Sequence, residues 1–240
     1  MIDTGMDQLQ LIAIIPARGG SKRLPGKNIL PILGKPLLAY TLETARLWGK
    51  FHRILVNSED PAILAAAQDY GAEIYRRPPS LSDDQAKVLA VVQEQIRTMQ
   101  LDLDRTVVAV LLPTCPLLAV KDLEGAFALF LKGGCKGAVV SVTQYEKAPE
   151  QALLIDAQGR LSQKYPESYS SKSQDHGPAY RYNTAMVFNT AGGILAQTDI
   201  VGRNSLAYEM PFERSIDIDY DYHVRVVEAL LLYAPPGRDA

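Results

Sequence analysis

The chain is short of the residues that several chemistries require. Among its 240 residues are two cysteines, three histidines and one tryptophan. Cys115 and Cys135 form no Cys-x-x-Cys or Cys/His spacing, which excludes a zinc ribbon or a dithiol redox motif and fits a reduced, cytoplasmic protein. His52, His176 and His223 share no metal-ligand spacing. They are read as surface or packing residues, although His176, in the loop "SQDHGPAYRYN", could also face a substrate. No apolar run approaches the ~20 residues a membrane span needs, and the polar, acidic start "MIDTGMDQLQ" does not read as a signal peptide. An excess of one charge is missing as well. The 25 basic and 27 acidic residues leave a net charge of −2, so neither nucleic acid nor an acidic membrane is expected as a partner.

What is present is a large core and a regular alternation. Hydrophobic residues make up 47% of the chain, enough for one α/β domain or a domain with a subdomain. "LIAIIPA", "RILVN", "AEIY", "TVVAVLL" and "GAVVSVT" read as strands. The first is apolar without alternation, as a strand buried on both faces should be. Helical patterns lie between them. One is "KPLLAYTLETARLWG", with Pro36 in its first turn and Gly49 ending it. Another is "DPAILAAAQDYG". A third is "SDDQAKVLAVVQEQIRTM", which Ser82, Asp83 or Asp84 could cap. This order predicts a mostly parallel, twisted sheet with right-handed crossovers and helices on both faces. After Thr143 the pattern breaks. A Ser/Tyr-rich stretch too long for an ordinary loop follows, and residues 145–182 read as a small extension, either a lid or a subunit contact. "TAMVFN" and "SIDIDY" resume as strands, and "YHVRVVEALLLY" closes as a helix.

The densest chemical signal follows the first strand. From Arg18 to Asn28 stand three glycines, two arginines, two lysines, a serine and no acid. Ligands of open α/β sheets bind at the carboxyl ends of strands. Glycines let backbone amides approach phosphate oxygens, and the cations supply countercharge. The spacing is neither a Walker A loop nor GxGxxG. A solvated basic turn has the same composition. A second signal is "IDID". In a strand, i and i+2 face the same way, so Ile216 and Ile218 would enter the core while Asp217 and Asp219 stand together on the other side. Two carboxylates so placed repel unless a cation joins them, and Mg²⁺ takes carboxylate oxygens together with phosphates and water. An ordinary strand with acidic residues on its outer face gives the same pattern.

The order of these residues resembles the sialic-acid-type cytidylyltransferases, the CMP-acylneuraminate synthetases and their relatives. Their opening pattern, close to I-x-A-R-x-x-S-K-x-x-x-x-K-N, is met by Ile15, Ala17, Arg18, Ser21, Lys22, Lys27 and Asn28. "GKPLLAYTLETA" looks like the family's first helix. Arg77, Pro78, Leu81 and Asp84 match an R-P-x-x-L-x-x-D segment, "LLPTCPL" looks like L-Q-P-T-S-P-L, "YRYNTAMVF" is similar to R-P-N-G-A-x-Y, and "SIDID" resembles the metal-binding tail. The resemblance implies a Rossmann-like nucleotidyltransferase fold that joins CTP to a 2-keto sugar acid and releases pyrophosphate. It implies Ala17, Arg18, Gly19, Gly20, Ser21, Lys27 and Asn28 around the nucleotide, with Arg77 toward the cytosine. Arg18 and Lys27 would be the catalytic cations, and Asp217 and Asp219 the ligands of Mg²⁺. Gln174, Tyr180, Arg181 and Asn183 would meet the sugar acid, Arg181 offering a planar fork to its carboxylate. Tyr165, Tyr169, Tyr180 and Tyr182 could wall the sugar or form an interface. A homodimer is expected, with one subunit's extension closing the other's site.

Some positions depart from the family pattern. Leu112 replaces a glutamine, Thr184 a glycine and Cys115 a serine; Lys87 and Val88 stand where small hydroxyl residues are usual; Lys172 and Ser173 precede Gln174 where an arginine is usual. These surround the sugar end and leave its identity open. N-acetylneuraminate is the default, with pseudaminate, legionaminate or a deaminated nonulosonate as alternatives, and an octulosonate fits least. Two other functions compete: a nucleotidyltransferase acting on another base or a sugar phosphate, and a non-catalytic sugar-nucleotide-binding protein of the same fold.

Overall fold

In the computed structural model, which describes residues 9–83, 85–169 and 177–233, the run Gln10–Pro16 forms strand β1 and is buried from Leu11 onward. Its alternate side chains enter different cores. Leu11, Ala13 and Ile15 join one cluster, while Ile12 and Ile14 join another. A strand covered on both faces must be apolar at every position, which accounts for the unbroken run.

The chain continues through a two-residue ladder, β2 (Pro31–Ile32) with β3 (Lys35–Pro36), then α1 (Leu37–Trp48), β4 (Arg53–Ser58), α2 (Pro61–Asp69) and β5 (Glu73–Arg76). Next come α3 (Val88–Met99), β6 (Thr106–Leu111), α4 (Val120–Lys132) and β7 (Val139–Gln144). A hairpin of β8 (Leu153–Ile155) and β9 (Leu161–Gln163) follows, then α5 (Pro166–Tyr169), β10 (Tyr180–Thr190), α6 (Ala191–Ala196), β11 (Leu206–Glu209) and α7 (Asp221–Tyr233). Seven strands share one sheet in the order β11-β7-β10-β6-β1-β4-β5. All five strands expected in the first half lie in it. β1, β4, β5 and β6 are parallel, and β10 runs antiparallel between β6 and β7.

The helices cover both faces. Leu38, Leu42 and Ala45 of α1, Ile63 and Ala67 of α2 and Leu123, Ala126 and Phe130 of α4 pack in one cluster. Leu89, Val92 and Ile96 of α3 and Ile194 of α6 pack in the other. Each fully buried Leu, Ile or Phe contributes roughly 1.5–3 kcal/mol. α1 ends at Gly49, whose φ of 69° places it in the left-handed region. α2 starts on an Asp60 cap that accepts from Ala62 N at 2.8 Å, with Pro61 in the first position.

Three expectations are corrected. α3 begins only at Val88, with Lys87 at its cap; Asp83 instead accepts from Gln85 N at 3.0 Å and Ala86 N at 2.9 Å, holding the turn before the helix. Asp84 lies outside the described residues. A further finding, on which nothing had been expected, is that β10 lies between β6 and β7. Tyr180, Arg181 and Tyr182 already pair with Gln144, Thr143 and Val142 of β7, so the segment outside the sheet ends before Tyr180. Finally, residues 215–219 belong to no strand. Ile218 N donates to Thr114 O at 2.8 Å, and Ser215 Oγ accepts from Asn183 of β10 at 2.8 Å. The edge of the sheet is taken by β11, which pairs with β7 and was not anticipated.

Candidate active site

The carboxyl ends of β1, β4, β5 and β6 open onto a cleft of about 320 Å³, lined among others by Arg18, Lys27, Arg77, Thr114, Asp217 and Asp219. Each lining segment is anchored separately. The cationic loop leaves β1 through Ala17, whose N–H donates to Asn57 O at 2.9 Å. Gly19 then passes so close to Asp60 that a methyl group there would collide with it. Its amide donates to Glu59 Oε1 at 2.7 Å. Gly26, at φ 65°, turns the loop into a short 3₁₀ turn that presents Lys27. Asn28 is buried and ties the loop to itself, Nδ2 donating to Arg18 O at 2.8 Å, while its Oδ1 is buried with no partner. The loop is therefore built into the fold and is not a solvated turn.

Arg77 forms one wall. Its guanidinium donates to Asn57 Oδ1 at 2.8 Å and Asn57 O at 2.9 Å, and lies 3.6 Å from Glu59 Oε2. Asn57 in turn donates to Gln95 Oε1 at 2.8 Å. Burial holds the Arg77 pKa below its ordinary value, and the neighbouring positive Arg18 acts in the same direction. It remains a cation, as arginine does in proteins.

The acidic pair lies opposite. Ile218 is fully buried beside Ile32, Leu37, Leu117 and Val227, with Ile216 packed against the same cluster. The alternation thus survives without a strand, and both carboxylates line the cleft as expected. Lys27 Nζ is 2.9 Å from Asp219 Oδ1, and Arg23 is 2.9 Å from Asp219 Oδ2. Asp217 Oδ1 is buried and has no hydrogen-bond partner. A buried, unpaired carboxylate oxygen is costly unless a cation joins it, so this donor set fits a divalent cation. Among the described residues no group of three or more His, Cys, Asp or Glu could hold one. The two aspartates would need oxygens from a ligand, which is how Mg²⁺ is commonly bound.

The sugar-end candidates divide. Arg181 is half-buried in the β7–β10 ladder, and its charge acts on the Cys115 thiol. Tyr180 is exposed. Tyr182 packs against the core that also holds Val140 and Val187, so it is no surface wall, and burial raises its hydroxyl well above the ordinary range. Asn183 does not reach the cleft. It is fully buried, accepts from Ser141 Oγ at 2.6 Å and donates to Ser215 Oγ at 2.8 Å. Its amide fixes β7, β10 and the start of the Asp217 segment to one another. Gln174 and His176 lie outside the described residues. Cys115 is buried, donates to Asn183 O at 3.3 Å and is pushed far above its ordinary pKa by burial, with the Asp217 charge adding to the effect. It is not a nucleophile. Thr184, next to it, holds φ at 67°, which is strained for a β-branched residue.

Several residues in this site carry no motif signal. Glu59, Asn57 and Gln95 position the loop and Arg77. His223 accepts from Asp219 N at 3.0 Å. Asp122, fully buried, receives two bonds from Arg214 at 2.8 and 2.9 Å and so anchors the turn that precedes Asp217. Apart from His223, four residues from Asp219, their partners lie tens of residues away, so spacing alone could not reveal them.

A doubly covered, mostly parallel sheet with a cationic, glycine-bearing loop facing two acids is the arrangement of a nucleotidyltransferase. A CMP:2-keto-3-deoxy-manno-octonic acid synthetase solved in complex with CTP shares the fold, with a TM-score of 0.70 at 17% identity over 93% of this chain and 98% of the other. A 4-diphosphocytidyl-2C-methyl-D-erythritol synthase from Anaerococcus prevotii gives 0.64 at 15% identity over 94% and 100%. The sequence goes further. Residues 12–192 match the cytidylyltransferase family, and the chain belongs to that family. A pseudaminic acid cytidylyltransferase from Campylobacter jejuni is 35% identical over 87% of this chain and 90% of its own length. An N-acylneuraminate cytidylyltransferase from Escherichia coli is 33% identical over 88% of this chain and 49% of its own length. A CMP-N,N'-diacetyllegionaminic acid synthase from Legionella pneumophila is 29% identical over 93% and 97%.

Proposed function

We propose that this enzyme transfers CMP from CTP to a nonulosonic acid, a sialic-acid-like 2-keto sugar acid, with release of pyrophosphate. The observation that carries this reading is the meeting of Lys27 with Asp219 at 2.9 Å beside the unpaired Asp217 oxygen. A phosphate-binding cation and a metal-binding carboxylate, 192 residues apart, face one cleft. In that cleft the anomeric hydroxyl of the sugar attacks the α-phosphorus, and the bond to the pyrophosphate leaving group breaks. The glycine-bearing stretch from Gly19 to Ser21 lets phosphates come close to the backbone, although the Gly19 amide is held by Glu59 Oε1 and that of Ser21 by Gly19 O. Arg18 and Lys27 neutralise charge that builds on the leaving oxygens, which is worth most in the transition state. Asp217 and Asp219 would hold Mg²⁺, which supplies charge neutralisation at the α-phosphate when bound. Arg77 closes the base end and Arg181 receives the sugar carboxylate. A non-catalytic binding role is not favoured, since a binder has no use for paired metal carboxylates.

Pseudaminate is the first sugar acid to try, because two Campylobacter relatives at 35% identity over 90% of their length carry that name. The test is pyrophosphate release with CTP, Mg²⁺ and a panel of pseudaminate, legionaminate, N-acetylneuraminate and octulosonate. Turnover with one nonulosonate supports the proposal; turnover only with a sugar phosphate, or with UTP in place of CTP, overturns it.

The proposal includes a homodimer. The β8–β9 hairpin exposes Leu154 by 51%, Ile155 by 72% and Leu161 by 64%, and an isolated two-stranded hairpin is marginal in water. A second subunit covering it supplies the missing burial. Light scattering should give twice the 26.3 kDa chain mass, and a monomer at micromolar concentration counts against it. No helix among the described residues is long and apolar enough to cross a membrane. Both cysteines are free thiols, which supports a reducing, cytoplasmic setting.

A further inference from the structure

Two loop cations converge on one carboxylate, while among the described residues no ion pair reaches its neighbour Asp217. Lys27 takes Asp219 Oδ1 and Arg23 takes Asp219 Oδ2, both at 2.9 Å, but Asp217 Oδ1 is buried and unpaired. The two cations differ in freedom. The Lys27 side chain is 14% exposed and that of Arg23 is 55% exposed. Arg23 also lies 5.3 Å from the centre of the Tyr220 ring, on the rim of the same site. A divalent cation shared by the two aspartates needs Asp219 oxygens that these side chains occupy. A triphosphate entering the loop brings negative charge that needs cations. One movement meets both demands.

We propose that Arg23 is an exchangeable counterion: without ligand it neutralises Asp219 from its seat on Tyr220, and when a divalent cation and the nucleotide bind it passes to the phosphates. Arg23 is then a phosphate-binding residue whose unliganded position competes with metal. This inference rests on the metal-nucleotide reading above, and it makes a prediction of unusual sign. Removing a positive side chain that contacts phosphate should weaken nucleotide binding and, at the same time, strengthen metal binding to the free protein.

The experiment is a Mn²⁺ titration followed by electron paramagnetic resonance on the full chain without nucleotide, with steady-state kinetics in parallel. Arg23→Gln should bind Mn²⁺ roughly two- to fivefold more tightly than wild type, the range expected for loss of an exposed competing ion pair. Arg23→Lys should fall between. In an Asp219→Asn background, Arg23→Gln should give no gain, because the competition acts through Asp219. The KM for CTP should rise about tenfold or more in Arg23→Gln, as for loss of a hydrogen bond to a charged group. Arg23 is a surface residue, so the thermal midpoint should hold. Absence of a gain in Arg23→Gln, or an equal gain in the Asp219→Asn background, overturns the proposal. Mn²⁺ binding that ignores both Asp217→Asn and Asp219→Asn is a different result: it removes the carboxylates from the metal site, and the exchange falls with that reading.

Discussion

Replacing Lys27 with alanine is the sharpest probe of the site. The Lys27 side chain is only 14% exposed and reaches an acid, Asp219, which is 25% exposed. A unit charge about 4 Å from a developing negative charge is worth roughly 4 kcal/mol at the effective dielectric of a partly buried site. Much of this is also felt by ground-state phosphates, and a measured loss on the order of 3 kcal/mol is expected, a hundredfold or more in turnover. Pyrophosphate release gives kcat and KM separately. If the charge matters chiefly in the transition state, kcat falls far more than CTP affinity. Folding should be little affected, since a half-solvated ion pair contributes about 1 kcal/mol or less, and Arg23 remains on Asp219. A thermal melt beside the kinetics separates the two effects. Arg18→Ala should behave alike. Near-normal kcat in both variants would refute the reasoning and reduce the loop to a surface feature.

Asp217→Asn and Asp219→Asn should each raise the Mg²⁺ needed for activity and lower the maximal rate, read from a Mg²⁺ titration of turnover; unchanged dependence in both would remove them from the mechanism. Arg214→Ala should cost about 3–5 kcal/mol in urea unfolding, because it leaves the buried Asp122 carboxylate with little beyond the Ala119 amide at 3.0 Å. A loss below 1 kcal/mol would contradict that role, and an Asp122→Leu, Arg214→Leu pair should recover much of the loss. Cys115→Ala should keep turnover, since its buried thiol stays protonated; a loss beyond about tenfold would argue for chemistry at sulfur. Arg53, by its hydrogen bonds, holds the Glu73 carboxyl below the ordinary carboxylate value. The folded chain therefore binds this proton more weakly than the unfolded chain, and the stabilisation is present above the ordinary range and lost as pH falls through the lowered value. Both side chains are well exposed, so Glu73→Gln should flatten the acid limb of a stability–pH curve only slightly.

How much of this was legible in the sequence depends on the range of the interaction. β1 and its loop were readable because burial on both faces leaves an unbroken apolar run, and the loop's glycines and cations are contiguous. The acid pair was readable for a related reason. The expected strand is absent, yet Ile218 still packs inward and both aspartates still line the cleft, because such alternation does not require a sheet partner. The burial of Asn183 was not readable, because it is decided elsewhere in the chain. It sits in a segment that matches a sugar-binding pattern, but Ser141 and Ser215 claim its amide, and neither is near it in sequence. The insertion of β10 between β6 and β7 was hidden likewise, since an apolar strand looks the same whichever neighbour it has.

Most of the bonds that hold the cleft together span long stretches of sequence, and that explains why they matter. Glu59 meets Gly19 across 40 positions, Arg214 meets Asp122 across 92, and Lys27 and Asp219 are 192 apart. Each joins two segments that are far apart in sequence. The cleft is assembled from the ends of four parallel strands that are separated in sequence by whole helices, so its parts can be held in register only by such long-range bonds. A motif names the groups that touch substrate. Their spacing in three dimensions is set by Asn57, Glu59, Asp122, Arg214 and His223, whose loss should misplace the catalytic groups without removing any of them.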